Sequence, residues 1–157
     1  MTWTNLLFFI ATFLGMEGVA WFTHKYIMHG LLWYLHEDHH DRKPGAFEKN
    51  DLFFVIFAVP SFFLIKNGVQ QGFDYKAAIG FGIMAYGFVY SVIHDVIIHQ
   101  RVKWLSRSNN VYIMAIRKGH KIHHKHLGKE HGECFGMLLV PFKYFQEAKK
   151  AKMNLSN

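Results

Sequence analysis

The run from Trp3 to Phe22, WTNLLFFIATFLGMEGVAWF, holds twenty residues and one charge, Glu17. A helix needs roughly 17–25 mostly apolar residues to cross the hydrocarbon of a bilayer, so this run qualifies. It leads into the first of four histidine clusters, His24-Lys-Tyr-Ile-Met-His29. Downstream, Ala77 to Ile93 supplies seventeen uncharged residues and stops at another, His94. Leu52 to Ile65 adds fourteen, short for a span and interrupted by Pro60. The chain is therefore expected to be an integral membrane protein. No basic residue precedes the first run and no small-x-small cleavage site follows it, so that segment is read as retained rather than as a signal peptide.

The whole chain is 157 residues, 51% hydrophobic and 17% aromatic, which suits one domain. The reading places a membrane-embedded domain over residues 1–146 and a polar, solvated or frayed tail over 147–157. Cys134 is the one cysteine and is read as a packed side chain. The formal charge is +7. Lys25, Arg42, Lys43, Lys49, Arg101, Lys103, Arg107, Arg117, Lys118, Lys121, Lys125 and Lys129 flank the histidines, whereas the loop Asn67 to Tyr75 carries only Asp74. Basic residues beside spans set topology, so the histidine side is expected to be cytoplasmic, facing anionic lipid. Nucleic acid is excluded as a partner, since no binding module accompanies the charge. Pro44-Gly45 signals a turn in the polar stretch before Leu52.

Ten of the twelve histidines follow one pattern, written twice. His24 and His29 read HxxxxH and His36, His39 and His40 read HxxHH; His94 and His99 then repeat the first, and His120, His123 and His124 the second. No apolar run separates the clusters within either set, and two separate the sets. Whether both runs cross the bilayer or both turn back, all four clusters face one compartment. Imidazole is the commonest biological ligand of transition metals. In HxxHH the rings at i, i+3 and i+4 share a helical face. In HxxxxH they diverge by about 140° on an ideal helix. Either these pairs straddle two metals, or the helix loosens where it leaves the membrane, as Gly30 allows.

Ten rings are too many for one ion and suit two. Structural zinc takes four ligands, whereas two irons with about five nitrogens each keep positions open for dioxygen. Glu37, Asp38 and Asp95 lie within the clusters and are candidates to orient imidazoles, against a plainer role as interfacial charges. Glu17 lies seven residues before His24, inside a span where a carboxylate is costly. It is expected to hydrogen-bond a ligating histidine, with helix packing as the alternative. His126 and His131 fall outside the pattern and are read as solvated or as supporting a ligand, not as ligands themselves. A metal transporter would place ligands near the midplane; here they cluster at helix ends.

On Gly15-Met-Glu-Gly18, the four clusters, Lys43 to Asp51, Ala85-Tyr-Gly87, His94-Asp95, Val96 to Arg101 and Gly128-Lys-Glu130, the sequence resembles the membrane fatty acid hydroxylase/desaturase superfamily. Within it the likeness is to the bacterial β-carotene hydroxylases, over roughly residues 15 to 145. The resemblance implies an all-α integral membrane protein, a compact helical bundle of three to four membrane segments with a cytoplasmic-side, histidine-lined di-metal site in the bacterial cytoplasmic membrane. It implies a non-haem di-iron monooxygenase that hydroxylates C3 of the β-ionone rings of β-carotene, giving zeaxanthin via β-cryptoxanthin. His24, His29, His36, His39, His40, His94, His99, His120, His123 and His124 inherit the iron-ligand role, with no catalytic residue beyond the metal centre. Dioxygen is the co-substrate, and electrons come from an external donor, a ferredoxin with its reductase. Arg101, Lys103, Arg107 and Arg117 are candidates to steer such a donor. A carotenoid ketolase, or a sterol or fatty-acyl hydroxylase, shares the metal chemistry and is the alternative.

Overall fold

The computed structural model describes residues 2–41, 47–103, 105–130 and 132–156. Arg42, Lys43, the expected Pro44-Gly45 turn and His131 lie outside the described residues. Every regular element among the described residues is helical. Among the described residues, three continuous helical stretches are long and apolar enough to cross a membrane: Trp3–Leu31, Lys49–Gln70 and Tyr75–Ile98. The second exceeds the fourteen-residue run read from sequence because Lys49–Asp51 enters it as a 3-10 turn and Lys66 to Gln70 prolongs it. Pro60 does not end that helix; prolines are tolerated within membrane helices, whose neighbours re-satisfy freed backbone groups. The chain forms two compact units, one of residues 1–19 and 32–89, the other of 20–31 and 90–157.

The first unit contains most of α1 (Trp3–Phe22), α2 (Trp33–His40), α3 (Leu52–Gln70) and most of α4 (Tyr75–Ser91). Small residues bring its helices close. A side chain at Gly80 would lie 2.8 Å from the Ser61 carbonyl on α3, and one at Gly82 would lie 2.9 Å from the Phe9 carbonyl on α1. This is how membrane helices associate when lipid removes the hydrophobic drive between them. Ser61 Oγ donates to the Gly80 carbonyl at 2.8 Å, and buried Asn5 Nδ2 donates to the Phe73 carbonyl at 2.7 Å. The α3–α4 turn uses Gly72 at φ 84°, a conformation glycine enters without a Cβ penalty. Asp74 Oδ1 then caps α4 by accepting from the Lys76 N–H at 2.8 Å.

The second unit contains two π-helical segments, Thr23–Leu31 and Val92–Ile98, together with α5 (Val111–His123) and α6 (Phe142–Ser156). Asn110 caps α5, its Oδ1 accepting from the N–H groups of Tyr112 and Ile113. The tail read as solvated or frayed from Glu147 continues α6, and its residues 147–154 are exposed except for Ala148. The reason is its spacing: Tyr144 and Ala148 share one face, are buried, and join Ala115 and Cys134 in a small core. Burying a side chain the size of Tyr144 contributes about 2 kcal/mol. Ion pairs from Lys118 to Glu147 and from Lys143 to Glu133 (2.7 Å) fasten α6 further.

Candidate metal centre

His24 and His29 lie in one π-helical segment, and His94 lies in the other with His99 as its C-cap. The His99 N–H donates to the His94 carbonyl at 2.8 Å, an i to i+5 bond. Such a bond closes a wider turn than an α-helix, so residues five apart diverge less than they would on an α-helix. Ring centroids lie 5.2 Å apart for His24 and His29, and 4.5 Å apart for His94 and His99. The loosening read at Gly30 is present, with a kink there (φ −134°, ψ −107°) where the segment ends. The pairs therefore converge rather than straddle.

In the second unit, donor nitrogens of His24, His29 and His123 lie within 4.8 Å of one another, and so do those of His99, His120 and His124. His94 joins the latter set through ring contacts with His99 and His120. In the first unit, α2 presents His36 and His40 with their Nε2 atoms 3.2 Å apart, beside His39. His126 is not among the histidines grouped here.

Six of the rings are held through their other nitrogen. The Nδ1–H groups of His24, His29 and His123 donate to the carbonyls of Phe135 (3.0 Å), Leu127 (2.9 Å) and Glu133 (3.0 Å). Those of His36, His39 and His94 donate to Asn50 Oδ1 (2.7 Å), Glu48 Oε2 (2.8 Å) and Asp95 Oδ1 (2.8 Å). An oxygen of this kind can only accept, so the proton sits on Nδ1 and Nε2 keeps its lone pair. This is the arrangement that orients metal-ligating imidazoles.

The donor set fits a metal. His29 and His123 both carry their protons on Nδ1, yet their Nε2 lone pairs face each other at 3.1 Å. A cation between them turns that repulsion into attraction. Corresponding Nε2 separations are 2.9 Å for His99 and His120 and 2.8 Å for His120 and His124. Two nitrogens bound at right angles, each about 2.0–2.1 Å from one ion, sit about 3 Å apart. The ring of Phe135 closes one side, its centroid 5.1–5.5 Å from those of His24, His29 and His123.

Burial pushes the His120 imidazole well below its ordinary value, with His94, His99, His124 and His123 adding repulsion. Burial likewise lowers His124 to about 4, with His94 and His29 contributing. Both rings are therefore neutral near pH 7 and ready to ligate. The unfolded chain binds these protons near pH 6.5 and the folded chain only at lower pH, so folding gains no penalty above 6.5 and loses stability as pH falls toward 4. The unfolding midpoint of the metal-free protein in lipid nanodiscs should fall across that window. Substituting His124 by Gln should flatten the dependence, and an unchanged slope would contradict the assignment.

The carboxylates read from sequence separate by role. Asp95 holds His94 and lies 3.9 Å from Arg101. Asp38 Oδ2 accepts from the Lys49 N–H at 2.7 Å, securing the segment that carries Glu48 and Asn50. Glu37 is exposed, in keeping with an ordinary interfacial charge. Glu17 accepts a 2.7 Å bond from the Tyr86 hydroxyl of α4, a contact that packs α1 against α4. The sequence reading missed Glu48, Asn50 and the carbonyls of Leu127, Glu133 and Phe135. Glu48 and Asn50 do lie in the quoted stretch Lys43 to Asp51; a carbonyl has no residue-type signal at all.

The model of the Fatty acid hydroxylase family matches residues 9–143, and the chain belongs to that family. It is an enzyme of this hydroxylase class, with histidine clusters suited to a metal. Over 139 residues it is 41% identical to the β-carotene hydroxylase of Pantoea ananas, covering 88% of this chain and 78% of that protein. With the β-carotene hydroxylase of Paracoccus sp. (strain PC1) the identity is 35% over 139 residues, 88% of this chain and 85% of that protein. The plant β-carotene 3-hydroxylase of Gentiana lutea, a chloroplastic protein, is 34% identical over 134 residues, 81% of this chain and 40% of that protein. No solved structure matches the chain.

Proposed function

We propose that this protein hydroxylates C3 of each β-ionone ring of β-carotene, forming zeaxanthin through β-cryptoxanthin. The observation that carries the reading is the set of imidazoles held by Nδ1 with Nε2 converging, in a chain whose relatives are named for this substrate. The ten histidines of the repeated pattern are the ligands of two non-haem irons. The overall reaction consumes dioxygen, two electrons and two protons; one oxygen atom enters the C–H bond and the other leaves as water. When bound, the irons supply dioxygen activation.

The chain's own residues do the rest. Carbonyls, the Asn50 amide oxygen and carboxylates fix six of the rings, with Glu48 holding His39 and Asp95 holding His94. Burial of His120 and His124 keeps them neutral and limits water near the site. The apolar helices hold the protein in the lipid where the carotenoid is dissolved. Electrons arrive from a ferredoxin and its reductase on the cytoplasmic side of the bacterial membrane. Exposed Arg101, Lys103 and Arg107 give that donor a basic approach.

Expression in a β-carotene-producing host, with pigments resolved by chromatography, tests the proposal. Zeaxanthin with transient β-cryptoxanthin is expected. Canthaxanthin would make the protein a ketolase, and a hydroxylated sterol or acyl chain with β-carotene untouched would move it to another branch of the family.

A further inference from the structure

We propose that Arg117 is a positioning residue, a clamp that sets the separation of the His94/His99 segment from the His120/His124 helix. The inference rests on the metal-binding reading above, and it removes Arg117 from the group of residues available to an electron donor. Its guanidinium is already engaged. Nε donates to the Ile97 carbonyl at 2.8 Å, Nη1 to the Ser106 carbonyl at 3.1 Å and Nη2 to the Leu105 carbonyl at 3.0 Å.

Each partner explains part of the role. Ile97 lies in the last turn of the second π-helical segment, where carbonyls run out of intrahelical donors. It precedes His99 by two residues. Leu105 and Ser106 belong to the connection between that segment and α5, and Leu105 holds a positive φ of 55°. Arg117 itself stands on α5 one turn before His120, whose Nε2 is 2.9 Å from that of His99. One planar side chain therefore ties both histidine-bearing elements and the loop joining them. A lysine keeps the charge but lacks the rigid fork that reaches three acceptors on two segments.

Metal affinity depends on how well ligands are pre-placed, and supporting contacts of this kind typically carry 10–100-fold. The test uses the full-length protein in lipid nanodiscs, titrated with cobalt(II) against a competing chelator and followed by the visible d–d bands. Arg117→Ala and Arg117→Lys should both bind cobalt(II) about 10–100-fold more weakly than the unaltered protein, with shifted bands. Guanidinium salt should partly restore Arg117→Ala, while Arg107→Ala, at an exposed position, should bind normally. Wild-type affinity and bands in Arg117→Lys would overturn the clamp and leave Arg117 as a charge. Should Arg117→Ala lose its helical circular dichroism, the lysine variant alone decides. Failure of the unaltered protein to bind cobalt(II) would sink the metal reading itself, a different result from normal binding by the variants.

Discussion

With His123 replaced by alanine, the protein should still reach the membrane, hold metal at least about 100-fold less tightly and form no detectable hydroxylated carotenoid. His123 is the fully buried member of its cluster, at 0% exposure. Its Nδ1 is tied to the Glu133 carbonyl, its Nε2 lies 3.1 Å from that of His29, and its ring centroid is 4.4 Å from that of His24. Removing it deletes a ligand and leaves a cavity, a change that costs about 2–5 kcal/mol for large apolar side chains. His123→Gln fills more of the space without presenting an imidazole and separates the two losses. Metal content of the purified protein, pigment chromatography and an immunoblot of the membrane fraction report the three outcomes. Full metal content in His123→Gln would remove His123 from the ligand set.

The second large effect is expected at Glu48. Its carboxylate accepts from His39 Nδ1 at 2.8 Å and also takes part in capping the Lys49–Asp51 turn. Glu48→Ala loses both and should weaken metal binding about 10–100-fold. Glu48→Gln keeps an acceptor and the cap while losing the charge, so its loss should be smaller. Chelator competition ranks the three proteins, and equal affinity in Glu48→Ala and the unaltered chain would contradict the orienting role. The comparison matters because no cluster histidine is adjacent to Glu48 in sequence. The contact exists because the Lys49–Asp51 turn packs back on α2.

Much of the site was legible because it is written in residue types. Trp3 to Phe22 and Ala77 to Ile93 announced candidate membrane helices by apolar length, and the repeated spacing announced the histidines that gather at the candidate metal centre. The sequence also showed that HxxxxH does not converge on an α-helix, leaving two ways out. Local backbone decides between them: nothing in Lys25 to Met28 or Asp95 to Ile98 spells a π-helix by composition, and the hydrogen bond from His99 to His94 settles it. The residues that hold the rings were less legible. Asp95 adjoins its histidine and was found; Glu48 and Asn50 come from another segment, and the Leu127, Glu133 and Phe135 contacts use backbone oxygen, which every residue has. Glu17 was singled out as a costly carboxylate; its partner Tyr86 is far away in sequence, and the α1–α4 approach, made possible by Gly82, brings it near. The tail's helicity was not legible because its lysines outnumber Tyr144 and Ala148, the two residues that anchor α6.

The central claim is that imidazoles ligate a pair of irons. The most direct measurement is iron content per polypeptide combined with iron X-ray absorption on protein purified anaerobically from membranes. The account predicts about two irons per chain with a first shell dominated by imidazole nitrogen. A fully active preparation with a single iron, or with sulfur or mainly carboxylate oxygen around the metal, would contradict it.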